Sequence, residues 1–411
     1  MVEANPKSLN IFIDGTWQTD EQEEPTNITK LYRALDTHAP DGKTQLKFYY
    51  DGIGTRGGWL RQIFQGAFAH DLESLVKQAY KDIALNYTPG DKINLYGFSR
   101  GATAARMLAG LIDHAGFLNM NKIPDKDLDK VIDEAWDLYR QTGDFKYLRD
   151  FDKNRFQVET ALFRQKHSHN DDQGSHESIP HIDHMLLFDT VGSLGVPEKF
   201  FTSNLFALWN PKLGNDYWRF HDDTIPHIVD RVTHFIALDE KRESFSLTGI
   251  KNNFLNDTKI KNIYFRGDHS AIGGGVTEKR GLSDFIGKRA AQELSDSIGF
   301  NEHIIQEEFD LANPDSFLLS TDQIYKRSSW LLRAFTGAKL RKPPKAFKDG
   351  DDNGYNIEEE VDIETLKAFY ERTSLLPENF NKNPDLALQA FKYLFLDHLP
   401  RKAPLFRTPV P

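Results

Sequence analysis

The chain has 411 residues, 39% of them hydrophobic, and a formal net charge of −10, which gives enough apolar mass for a large core and no overall positive field to attract nucleic acid. It contains no cysteine, so disulfides, thiolate metal sites and a cysteine nucleophile are excluded. The start Met1-Val2-Glu3-Ala4-Asn5-Pro6-Lys7 lacks the basic and apolar regions of a classical signal peptide, and no later run approaches a membrane span; the expectation is synthesis in the cytoplasm without such a signal.

Leu9-Asn10-Ile11-Phe12-Ile13 reads as a buried strand that ends in the polar turn Asp14-Gly15-Thr16-Trp17, a place where α/β enzymes put site residues. Thr26 to Leu35 reads as a capped helix and Leu46 to Tyr50 as a second strand. The following Asp51-Gly52-Ile53-Gly54-Thr55-Arg56-Gly57-Gly58 lacks the Gly-Lys-Ser/Thr ending of a phosphate-binding loop, and a loop lining the site is the better reading. Leu72, Leu75, Val76, Ala79 and Ile83 recur at helical spacing between Asp71 and Tyr87. Strands and helices in alternation predict a mostly parallel sheet covered on both faces.

After the turn Pro89-Gly90, the short apolar run with Ile93 and Leu95 leads into Gly97-Phe98-Ser99-Arg100-Gly101 and then an alanine-rich helical stretch. Strand, sharp turn and helix about Gly-x-Ser-x-Gly form a nucleophile elbow, in which Gly97 and Gly101 let strand and helix approach and the Ser99 hydroxyl projects from a strained turn. A Gly/Ser turn that merely joins two elements would show the same five residues; the strand before it and Ala102, Ala104 and Ala105 after it favour the elbow.

From Phe117 to Arg164 the chain reads as amphipathic helix, with Val131, Ala135, Trp136 and Tyr139 on one face, suited to a cap over a sheet edge. The tract from Arg164 to His176, with His181 and His184 beyond it, is rich in histidine, but its irregular spacing favours a polar loop over a metal site. Met185 to Phe188 reads as a strand ending in Asp189-Thr190-Val191-Gly192-Ser193-Leu194-Gly195. Thr224 and Pro226 predict the start of a helix through Ile228, Val229 and Val232, leading to the apolar stretch His234 to Leu238. Ile263-Tyr264-Phe265 reads as a strand ending in Arg266-Gly267-Asp268-His269, and Leu282 to about Ile298 as a helix.

No comparable strand-and-turn pattern follows. Between Gln323 and Lys348 basic residues alternate with Trp330, Leu331, Leu332, Phe335 and Phe347, a composition shared by membrane-surface segments and by a solvated helix packed on its aromatic side. Asp349, Asp351, Asn353 and Glu360 fit the spacing of a calcium loop. Pro343-Pro344, which spoil an incoming helix, and Asn356 at a normally apolar position argue against an EF-hand.

Serine chemistry needs a base for the hydroxyl proton and an acid to hold that base in the right tautomer. Ser99, Asp189 and His269 occur in the chain order of α/β-hydrolases, each at a predicted strand exit. The rival base His234 lies inside an apolar stretch, where a satisfied core histidine is expected. Asp222, Asp223 and Asp230 are rival acids on a surface-like segment. Backbone N–H groups of Arg100 and of Gly15 or Thr16 are the candidate oxyanion donors, with Asp14, Gly97 and Gly101 in support.

Asp14-Gly15-Thr16-Trp17, Thr26-Asn27 with Leu31, Tyr49 to Thr55, Gly97 to Ala102, Asp189 to Gly195, Ala237-Leu238-Asp239-Glu240-Lys241-Arg242 and His269 to Gly275 together resemble the signatures of an uncharacterised α/β-hydrolase domain family. That family includes phospholipase effectors delivered by bacterial type VI secretion systems. The resemblance covers roughly residues 8 to 300 and places the family's nucleophile, acid and base on Ser99, Asp189 and His269. It implies phospholipase A-type hydrolysis of glycerophospholipid esters without a required cofactor. It also implies action at a phospholipid membrane surface, and as partners a secretion-system component and an immunity protein. Ala271 stands where the family usually has an acid.

These readings give a catalytic domain over 8–300, with a cap-like insertion at 117–184, and a mainly helical extension over 301–411. An esterase or transacylase acting on a soluble ester would use the same triad, whereas a non-catalytic binding module would keep the elbow only as a turn.

Overall fold

The computed structural model describes residues 6–15, 24–52, 67–141, 150–169, 180–192, 225–240, 247–250, 257–314 and 357–362. Thr16, the loop after Gly52, Asp222, Asp223, the basic aromatic segment about Trp330, and Asp349, Asp351 and Asn353 lie outside these residues.

Each predicted strand forms, and each is parallel to its neighbours. The strands are β1 (Ser8–Ile13), β2 (Gln45–Tyr50), β3 (Lys92–Phe98), β4 (Ile182–Phe188), β5 (Val229–Ala237), β6 (Lys259–Phe265) and β7 (Ile357–Val361). They form one sheet in the order β2-β1-β3-β4-β5-β6-β7. The helices are α1 (Asn27–Ala34), α2 (Ala67–Asn86), α3 (Arg100–Ala115), α4 (Leu128–Gln141), α5 (Asp150–His167), α6 (His269–Gly273), α7 (Arg280–Leu294) and α8 (Glu302–Glu308). This is the parallel sheet with helices on both faces that the alternation predicts, and it agrees with the α/β-hydrolase-like fold that the resemblance implies.

The strands read as near-continuous apolar runs because both faces are covered. Leu9, Ile11 and Ile13 pack with Val76, Leu108 and Trp136 of α2, α3 and α4 on one side. Phe12 points the other way, into a cluster with Leu31, Ile286 and Phe309. On that second face aromatic rings meet across the sheet, with Phe12 stacked on Tyr96 at 4.1 Å and Phe235 beside Phe188 and Phe265 at 5.2 and 5.4 Å. A buried ammonium ties two of its helices together: Lys30 of α1 lies 2.5 Å from Asp284 of α7 and 3.1 Å from Glu24. No described helix is long and apolar enough to cross a membrane.

One element differs from the sequence reading. Where a helix is predicted through Val229 and Val232, the chain is strand β5 from Val229; in a strand buried on both faces the apolar run loses its alternation, and length alone does not separate it from a helix. The helices α4 and α5 fall in the stretch read as a cap. The face carrying Val131, Ala135, Trp136 and Tyr139 packs in the core formed by α2 and α3, and Arg164 and Ser168 at the end of α5 bond to the carbonyls of His114 and Ala115, at the opposite end of α3 from Ser99. In the stretch read as a mainly helical extension, the described residues hold α8 and the strand β7, which joins the sheet through Glu358-Glu359-Glu360; glutamates have poor strand propensity, but a sheet edge accepts charged residues.

The histidines of the central tract take separate places. His167 lies against Phe163, His169 against Tyr87, and His181 pairs with Asp230 at the surface. His184 is buried within β4, its Nε2 2.9 Å from Thr233 Oγ1. Burial, and then the nearby Arg231 charge, hold its pKa down at about 3.

Between pH 6.5 and about 3 the unfolded chain therefore binds a proton at His184 that the folded chain does not. Stability falls as pH drops through this window, by about 1.4 kcal/mol per pH unit for one proton. Urea unfolding of His184→Gln at pH 6 and pH 4 should show a shallower loss than the unsubstituted protein.

Candidate active site

The site is built at the carboxyl edge of the sheet. Strand order reverses there between β1 and β3, whose connections run to opposite sides, the switch point at which parallel α/β sheets place their sites. The turn after β3 carries Ser99, with φ 58° and ψ −119°, a conformation that costs an L residue on the order of 1–3 kcal/mol. Serine at a helix N-cap usually accepts from an amide of the first turn; Ser99 makes no such bond. Its Oγ instead lies 2.8 Å from His269 Nε2.

Close approach explains the glycines. A Cβ on Gly97 would fall on the backbone of Ala102, and one on Gly101 would fall on the carbonyls of Ile13 and Asp14. The loop after β4 braces the turn: Ser99 N–H donates to Phe188 O at 2.9 Å, Val191 N–H to Ser99 O at 3.3 Å, and Thr103 Oγ1 to Val191 O at 2.8 Å.

Asp189 leaves β4 with φ 43°, the second positive φ at a residue other than glycine among the described residues. It is fully buried. Its Oδ2 lies 2.6 Å from His269 Nδ1, and its Oδ1 accepts the Ala237 N–H at 2.9 Å. The network assigns the neutral tautomer, with Nδ1–H donated to Asp189 and Nε2 accepting from Ser99. His269 follows β6 and opens α6, where Asp268 caps the helix by accepting the Ala271 N–H and holds Lys279 Nζ at 2.5 and 2.7 Å. The ring of Phe98 lies 4.7 Å from the imidazole, and a Cβ on Gly15 or Gly273 would strike it.

Asp14 organises the neighbouring loop. Its carboxylate accepts from Gly15 N–H at 2.6 Å, Thr26 Oγ1 at 2.6 Å, Tyr49 OH at 2.7 Å and Thr29 Oγ1 at 2.9 Å. Burial raises its pKa against the pull of those donors. Gly15 N–H is thus engaged by Asp14, so its service as an oxyanion donor requires that bond to open. Arg100 supplies the first amide of α3, at the positive end of the helix. Ala271, in place of the family's acid, is fully buried in the aromatic face of the core.

The structure thus brings Ser99, Asp189 and His269 together and sets the described rivals, His234 and Asp230, apart. His234 is buried in β5, with Thr190 N and Oγ1 at 3.2 and 3.1 Å from its Nε2. Asp230 is at the surface. Among the described residues no cluster of His, Asp or Glu is arranged to hold a metal; Glu360 of the calcium candidate lies in β7.

A sequence profile of the type VI secretion phospholipase effector Tle1-like catalytic domain matches residues 7–296. The chain belongs to this family. The Tle1-like domain is also 28% identical over 255 residues to the uncharacterized protein YEL023C of Saccharomyces cerevisiae, an alignment covering 59% of this chain and 32% of that protein. Among solved structures it is similar to the Tle1 effector bound to the VgrG spike of the type 6 secretion system, with 18% identity, TM-score 0.32, and 65% and 51% of the two chains covered. It is likewise similar to an uncharacterized protein from Pseudomonas aeruginosa, with 15% identity, TM-score 0.40, and 80% and 52% covered. The alignments span about a third of the yeast protein and about half of each solved chain.

Several supporting groups have no assigned role in the sequence reading. Glu240, inside the Ala237–Arg242 signature, accepts the His269 N–H at 3.2 Å; its position at a strand exit was its only local signal. Lys279 and Thr190 act through contacts that spacing does not display. Substituting Gly101→Ala should force α3 away from β1 and cost about 1–3 kcal/mol, read as a lower denaturant midpoint with an unchanged slope.

Proposed function

We propose that this Tle1-like domain is a serine hydrolase that cleaves carboxylic esters of glycerophospholipids, a phospholipase A-type lipase. The observation that carries the reading is the continuous chain Ser99 Oγ, His269 Nε2, His269 Nδ1, Asp189 Oδ2, with links of 2.8 and 2.6 Å. His269 takes the Ser99 proton as the serine oxygen attacks the ester carbonyl. Asp189 stabilises the imidazolium. The oxyanion is held by the Arg100 N–H and an amide of the loop after β1, Gly15 or Thr16. As the tetrahedral intermediate collapses, His269 returns the proton to the leaving alkoxide, and lysophospholipid departs. Water, deprotonated by His269, then attacks the acyl-enzyme; the proton goes back to Ser99 and a fatty acid leaves.

Family membership supports the substrate class and the remaining parts of the proposal. These are action at a phospholipid membrane surface in a target cell, delivery through a type VI system with a component of that system as carrier, and an immunity protein in the producing cell. No step of this route calls on a metal, and the calcium candidate over Asp349, Asp351, Asn353 and Glu360 is tested beside it.

Mixed phospholipid vesicles incubated with the protein should release fatty acid and lysophospholipid, and Ser99→Ala should reduce release by about 10³-fold or more with an unchanged fold. Full activity of Ser99→Ala would refute the nucleophile. Turnover of soluble esters with none on vesicles would replace the lipase with an esterase, and loss of release on chelation would place calcium in the reaction.

A further inference from the structure

The four residues that leave β5 touch both halves of the acid–base pair. Ala237, the last residue of the strand, gives its N–H to Asp189 Oδ1 at 2.9 Å. Three residues on, Glu240 is 2% exposed and accepts the N–H of His269 on Oε2 at 3.2 Å. The residues between them are fixed to the exit of β6. Leu238 N–H donates to Phe265 O at 2.9 Å and Asp239 N–H to Gly267 O at 2.9 Å. In return, Asp239 Oδ2 accepts the Gly267 N–H at 2.7 Å and pairs with Arg266 Nε at 2.8 Å.

The segment therefore works as a spacer. One end holds the acid by a backbone donor and the other holds the base by a side-chain acceptor, while the middle is locked by four polar contacts to Phe265, Arg266 and Gly267 at the exit of β6. His269 is the first residue of α6, and an amide there has no acceptor within its own helix. A buried carboxylate is costly unless its oxygens receive donors, so Glu240 and the His269 N–H each answer a need of the other.

We propose that Glu240 is a positioning residue that sets the 2.6 Å separation of His269 Nδ1 and Asp189 Oδ2, and through it the aim of Nε2 at Ser99. The inference rests on Ser99, His269 and Asp189 acting as a triad. An error of about 1 Å in such an aim can cost on the order of 100-fold in rate.

The test uses the full chain and two readouts that need no lipid substrate: the rate of Ser99 modification by a fluorophosphonate, and the low-field proton NMR signal of His269 Nδ1–H against Asp189. Glu240→Ala should slow labelling by about 10- to 100-fold and weaken or shift the low-field proton, with an unchanged circular dichroism spectrum. Glu240→Gln keeps an oxygen that can accept the amide and should restore most of both signals. Glu240→Asp, one methylene shorter, should behave like the alanine variant and stands in for it if alanine does not fold. Wild-type labelling in both Ala and Asp variants would overturn the inference, as would Gln behaving like Ala, which would assign the effect to charge. If the unsubstituted protein labels no faster than Ser99→Ala, the triad reading fails, and the NMR proton alone decides whether Glu240 positions the ring.

Discussion

The constraint on which the site depends is the backbone turn at Ser99. Its positive φ would relax if the turn stood alone, because an L residue prefers either the extended or the right-handed region. It persists because the flanking glycines allow α3 to lie against β1 and β3 closer than any Cβ permits. Bonds from Phe188 and Val191 then hold the serine peptide in place. The hydroxyl consequently leaves the N-cap position, where serine would ordinarily satisfy the helix, and faces His269. Asp189, the other strained residue, follows the same logic: its φ of 43° turns one carboxylate oxygen to the Ala237 amide and the other to the imidazole.

Sheet topology places these strained turns on a common edge. Because the strands run parallel, every exit faces the same way, and each contributes a distinct part: the Asp14 loop from β1, Ser99 from β3, Asp189 from β4, the spacer from β5 and His269 from β6. The connection from β1 through α1 to β2 moves outward on one face, and the connection from β3 through α3 to β4 moves the opposite way on the other face. Right-handed crossovers require this exchange of faces when direction reverses. The reversal sends the α1 and α3 crossovers to opposite faces at the β1–β3 junction, where in the proposed reaction an ester carbonyl would meet Ser99.

Most of this architecture was legible in the sequence because it rests on short-range signals. The β1, β2, β3, β4 and β6 runs were apolar and bounded by turns, the elbow displayed its glycines, and Ser99, Asp189 and His269 stood at strand exits in order. The reading was wrong at β5, and incomplete elsewhere, where local pattern lost information. β5 is buried on both faces, so Val229 and Val232 fit a helix as well as a strand. The amphipathic face of α4 announces that it packs but not on what, and it packs on α2 and α3. Strand β7 is held by pairing with β6 against the propensity of its glutamates. Glu240 and Lys279 were invisible as supports because their partners are fixed by loops, with no period to reveal them.

The supports are carboxylates to an unusual degree. Asp14, Asp189, Glu240 and Asp268 are all at most 2% exposed, and each accepts at least one backbone amide, from Gly15, Ala237, His269 and Ala271 respectively. An ionised carboxylate accepts on both oxygens and donates nothing, so it tolerates only donors around it and orients them all. An amide side chain would offer one oxygen and an NH₂ group, and at Asp189 the latter would confront the Nδ1–H of the working tautomer. Desolvation works against such groups, as the upward pull on Asp14 and Asp239 records, and the bonded amides offset it. Under the proposed mechanism Asp189 differs in its second partner: the imidazole would gain a proton during ester cleavage, whereas a backbone amide keeps a fixed charge. The arrangement that holds fixed groups at Asp14 or Glu240 would then become, at Asp189, an interaction that strengthens as the transition state forms, and only an interaction of that kind accelerates the chemical step.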